Sequence, residues 1–146
     1  MKLRTPVVIL FTIGLACGAS TAQASYFDGE DALLCTLHRL YECDAPNGCL
    51  AVTPGEIRGV SHLDIDFATK TITHANLESK QKSIIQTVKT GIDGKLILQG
   101  IEDGEPDERD GAGWSISIMD PEGTMVMTTS ADGFAVVGLG ACVPKP

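Results

Sequence analysis

Aromatic residues make up only 5% of the 146 residues, and Trp114 is the single tryptophan. Carbohydrate-binding faces and lipid calyces are built from more aromatic surface than this. Basic residues are also few: 11 Lys and Arg stand against 19 Asp and Glu, a formal net charge of −8. Nucleic acid and anionic membrane both select Lys and Arg, so neither is expected as a partner. No apolar run approaches the about 20 residues that a membrane-spanning helix needs. There is no C-x-x-C pair, no G-x-S-x-G nucleophile elbow and no Gly-rich phosphate loop. The usual signatures of thiol redox chemistry, paired-cysteine zinc sites, α/β-hydrolase catalysis and nucleotide binding are therefore missing.

What is present begins with a leader. Lys2 and Arg4 precede the short apolar stretch Pro6 to Gly18, and "TAQA" then places small residues at Ala22 and Ala24. This is the pattern of a secretory signal peptide, residues 1–24, cleaved before Ser25. The alternative is a lipoprotein acylated at Cys17, although Gly14 stands where a branched apolar residue is normally wanted. Cleavage leaves residues 25–146 as one domain with 9 basic and 19 acidic residues, hence a net charge of −10, and four cysteines. An even cysteine count in an exported chain reads as a disulfide framework in a periplasmic or secreted protein.

The four cysteines are Cys35, Cys43, Cys49 and Cys142. If residues 32–43 form a strand, Cys35 and Cys43 lie about 26 Å apart at about 3.3 Å per residue, too far to bond. "CDAPNGC" carries Pro46, Asn47 and Gly48, a turn signal, so Cys43–Cys49 would close a small loop. Cys35–Cys142 would then tie the first strand to the last. The stretch Asp31 to Cys43 also fits a helical stripe through Leu33, Leu37, Leu40 and Tyr41. As a strand it puts Leu33, Cys35, Leu37, Tyr41 and Cys43 on one face, with Arg39 the exception. The strand is favoured by the remainder of the chain.

Downstream the period is two. Leu63, Ile65 and Phe67 share a face, and Ile72 follows a turn at Thr69 and Lys70. Asp93-Gly94 separates two β-rich runs, as in a hairpin. Trp114, Ile116 and Ile118 alternate with serines; "DPEG" and "ADG" then turn the chain before a closing strand, Phe134 to Val143. The expected fold is all-β: a small antiparallel up-and-down barrel of about eight strands, closed by a disulfide between first and last strands. Gly138 and Gly140 in the last strand serve bending or close backbone approach, or else leave room for a ligand.

Candidate chemistry is sparse. His38, His62 and His74 stand near carboxylates or hydroxyls, as surface histidines ordinarily do. Asp64 and Asp66 read as the solvated face of a strand. "EDGEPDERDG", Glu102 to Gly111, holds six carboxylates against Arg109. It departs from the EF-hand loop because Glu108 replaces the turn glycine, so it reads as a charged hairpin tip. Its residues Glu105, Asp107, Glu108 and Asp110 are the expected contact for a basic protein partner, which an acidic protein steers by long-range attraction. No catalytic, cofactor-binding or metal-binding residue is expected, and Trp114 is assigned to the core.

The early C…C…C cluster, the "GW" strand and the final "GLGAC" resemble those of small exported, disulfide-containing proteins of Gram-negative bacteria. These motifs are structural, so the resemblance implies a fold and no activity. In outline the chain is also similar to the periplasmic lysozyme-inhibitor barrels, though it carries no match to their inhibitory loop. A non-enzymatic periplasmic binding or inhibitory module acting through its surface is the expected function. The alternative is a carrier of a small apolar ligand in the barrel interior.

Overall fold

The computed structural model describes residues 25–56, 61–74, 82–91, 93–102 and 111–146. Among them there is no helix, only nine strands. These are β1 Leu33–Asp44, β2 Gly48–Val52, β3 His62–Asp66, β4 Thr71–His74 and β5 Lys82–Thr90, then β6 Leu96–Glu102, β7 Ala112–Ile118, β8 Thr124–Ala131 and β9 Phe134–Pro144. All pair antiparallel; β3 to β9 follow one another as a meander, and β9 returns to pair along the whole of β1. Eight strands thus close a barrel, and no sheet edge is left within it. The ninth, β2, is a hairpin excursion.

β2 and β3 share one edge of β1. Leu33 to Thr36 pair with β3, whereas Leu40 to Asp44 pair with β2. Between them the amide of Leu37 donates to the carbonyl of Ser61. The outer half of β1 therefore runs past the barrel rim, flanked by β2 and the start of β9.

The expected face assignment of β1 holds only to Leu37. The register of β1 on β9 shifts between Leu37 and Arg39, a β-bulge that inserts one extra residue and inverts the alternation. Leu40 then turns inward, 5% exposed, and Arg39 outward. Tyr41 and Cys43 consequently leave the inward face. Arg39 among apolar neighbours was the mark of that bulge.

The barrel interior is filled by side chains. Leu33, Cys35, Leu63, Ile65, Leu96, Leu98, Ile116, Ile118 and Met125 are at most 1% exposed. Each buried Leu or Ile contributes about 1.5–3 kcal/mol of transfer free energy. One end is closed by the segment leading into β1, whose Phe27 is buried in the same cluster. Gly138 and Gly140 open no space: a Cβ at Gly138 would stand 2.7 Å from Leu37 Cδ2, and one at Gly140 would collide with the Thr36 carbonyl. Both glycines serve close packing, which is the bending and close-approach reading.

The disulfides are as expected. Cys35–Cys142 joins β1 to β9 and Cys43–Cys49 joins β1 to β2, each between directly paired residues with Cα atoms 4.0 Å apart.

Candidate functional site: the barrel mouth

Opposite Phe27 the barrel opens. β4 ends here at His74 and β6 at Glu102, and β5 and β7 begin at Lys82 and Ala112. A cavity of ≈ 40 Å³ lies in this mouth, floored by Leu63, Ile72, Ile116 and Met127. Its rim carries His74, Ser83, Glu102, Trp114 and Thr129. The floor comes from the inward alternation of β3, β4, β7 and β8. The polar rim is the next inward position on four strands: Ile72 is followed by His74, Met127 by Thr129, while Ser83 precedes Ile85 and Trp114 precedes Ile116.

Trp114 lies against Gly100, its cross-strand partner, where a Cβ would overlap the indole ring. Trp114 is 7% exposed, and its Nε1–H is buried without a hydrogen bond to any described residue. The same holds for His74 Nδ1 and Thr129 Oγ1. Burial pushes the His74 imidazole below its ordinary 6.5, and the nearby Glu102 carboxylate partly opposes that shift. The imidazole is therefore uncharged at neutral pH. Three residues lining one small cavity beside a carboxylate thus each carry an uncharged, buried polar group without a partner among the described residues.

Beyond the rim projects the ribbon β2–β1–β9. Its face toward the mouth is set by Leu40, whose partners are Val52 and Gly138; further out, Glu42 pairs with Leu50 and Val136, and Asp44 with Gly48 and Phe134. Val52 and Val136 pack on the core, whereas Leu50 and Phe134 are 58% and 43% exposed. An apolar surface interleaved with two carboxylates thus overhangs the mouth. Asp44 also accepts from the Asn47 amide and side chain, which shapes the β1–β2 turn.

The sequence-predicted site residues are distributed as follows. The acidic stretch Glu105, Asp107, Glu108 and Asp110 lies outside the described residues, as do residues 1–24 with Cys17, the expected signal peptide; Glu102 and Gly111, at the ends of the acidic stretch, are described, and Glu102 is on the rim. Asp64 pairs with Lys145, and Asp66 accepts from the Thr69 amide, which lowers its pKa; both carboxylates lie away from the cavity. His38 and His62 are exposed, and His62 Nδ1 meets Ser61 Oγ at 2.9 Å. Sequence reasoning took Trp114 as plain core and passed over Ser83 and Thr129. The signal was available, because each extends an alternating apolar row by one polar inward residue.

Among the described residues no group of three or more His, Cys, Asp or Glu side chains is arranged to hold a metal ion. No protein-family model and no curated protein matches the chain.

Proposed function

We propose that this chain is an exported, non-enzymatic binding or inhibitory module of the periplasm or cell exterior, acting through the surface at its barrel mouth. The supporting observation is the overhanging ribbon, where exposed Leu50 and Phe134 stand beside Glu42 and Asp44. Glu102, the residue that precedes the acidic stretch 103–110 in sequence, is on the rim. Apolar anchors surrounded by carboxylates suit a basic protein partner: charge speeds encounter and apolar contact holds the complex. Two disulfides suit an oxidising compartment.

A carrier of a small apolar ligand is the weaker reading. Pockets for such ligands measure about 300–1,000 Å³, against ≈ 40 Å³ here.

The test is recovery of partners from a periplasmic extract on immobilised protein. The wild type is compared with a variant carrying Glu105→Gln, Asp107→Asn, Glu108→Gln and Asp110→Asn. Loss of a partner from the variant, with stronger retention on the wild type at low salt, is expected. Equal recovery of every partner by both rejects the reading.

A further inference from the structure

We propose that the barrel mouth is a binding site for an uncharged primary amide, taken up between Trp114, Thr129 and His74. The hydrogen-bonding groups of this site are all on described strands and none comes from residues 103–110.

The first ground is the indole. Trp114 is 7% exposed and lines the cavity, and its buried Nε1–H has no hydrogen bond to any described residue. An indole N–H only donates, so whatever completes it must offer an acceptor. The second is convergence. Thr129 and His74 line the same cavity from two other strands, and their Oγ1 and Nδ1 atoms are buried and likewise without a described partner. Buried polar atoms are paired in nearly all native structures, so three around one opening point to a shared occupant.

Size and charge define that occupant. A water needs about 10–15 Å³ of such space, so the ≈ 40 Å³ cavity has about three water-sized positions. That matches the carbon, oxygen and nitrogen of a carboxamide head. A carboxylate would meet the Glu102 carboxylate on the rim of a chain whose net charge is −8. An ammonium brings no acceptor for Trp114. An amide supplies both kinds of group: its carbonyl accepts from Trp114 Nε1–H and the Thr129 hydroxyl, and its NH₂ donates to uncharged His74 at Nδ1. Free small amides and a partner's Asn or Gln side chain share this chemistry.

Because Trp114 is the only tryptophan, its indole cross-peak in a ¹⁵N–¹H spectrum is an unambiguous probe. Acetamide titrated into the disulfide-bonded protein should shift that peak saturably, with a Kd on the order of 1–100 mM for so small a ligand. Acetate, methylammonium and ethanol should fail to saturate it. Thr129→Val, which keeps shape and loses the hydroxyl, should weaken acetamide at least about 5-fold. N-acetylglutamine N-methylamide separates the sources: saturation at or below the acetamide Kd points to a partner's side chain, and its failure beside acetamide binding points to a free small amide. No saturation by acetamide overturns the site, and so does equal saturation by ethanol, the result expected of a merely water-filled mouth. An unchanged Kd in a folded Thr129→Val variant removes Thr129 and overturns the arrangement proposed.

Discussion

Cys35 on β1 and Cys142 on β9 stand directly opposite one another, bonded across the seam where the barrel closes and separated by 107 residues of chain. Cys43–Cys49, in the same strand β1, bridges a separation of only 6. Constraint of the unfolded chain scales with the loop closed, so replacing Cys35 and Cys142 by Ala should cost about 4–5 kcal/mol and replacing Cys43 and Cys49 about 2 kcal/mol. Urea midpoints of the two double variants check the order. Access reverses the order for reduction. Cys35 and Cys142 are buried, whereas Cys49 is exposed. Mild reductant on the folded protein should therefore release two thiols, at positions 43 and 49, well before four.

The proposed cleavage after Ala24 makes its own prediction. A chain recovered from a bacterial periplasm should begin at Ser25, and its intact mass should be lighter by four hydrogens for two disulfides. Retention of residues 1–24 would exclude cleavage before Ser25, and a lipid-modified Cys17 at the new terminus would establish the lipoprotein instead.

Much of this barrel is legible in advance because its determinants are local. Alternation in Trp114–Ile118 and Leu63–Phe67, turn residues such as Asp93-Gly94, and two cysteines near opposite ends of the chain each act within a few residues or through one bond. What escapes is set by pairing across strands. The extra residue between Leu37 and Arg39 looks like noise in a one-dimensional pattern, yet it inverts the face of β1 and sends its outer half past the rim. That β2 and β3 divide one edge of β1 is likewise invisible without the register. The mouth is harder still, since His74, Ser83, Trp114 and Thr129 come from four strands and meet only after closure.

Gly100 illustrates how tightly those strands are set. It pairs with Ile85 on one side and Trp114 on the other, and a Cβ there would overlap both the Ile84 carbonyl and the indole ring. Moving the ring does not relieve the overlap with the Ile84 carbonyl, so the β5 ladder and the indole must both shift. Gly100→Ala should lose about 1–3 kcal/mol, as overpacked cores do. It should also red-shift the emission of the sole tryptophan as the indole moves toward water. A variant of unchanged stability and spectrum would show that the mouth is loosely packed.

His74 gives the mouth a pH signature whose sign follows from burial. Its pKa in the folded barrel lies below the ordinary 6.5 because the charged imidazolium is poorly solvated there. As pH falls through 6.5 the unfolded chain takes up a proton that the native mouth still refuses. Stability therefore drops from that point and levels off only once the native imidazole also protonates. The depressed carboxylates Asp66 and Asp93 act lower, around and below their ordinary 3.8, and leave this window clear. Urea midpoints measured from pH 7.5 to pH 5 should fall for the wild type, and His74→Gln should flatten that part of the curve. Glu102 favours the charged imidazole through its own negative charge. Glu102→Gln should thus push the His74 pKa down further and deepen the loss at low pH, a change that proton NMR titration of the His74 ring reads directly. A His74 pKa that rises in Glu102→Gln would reverse the assigned electrostatics of the mouth.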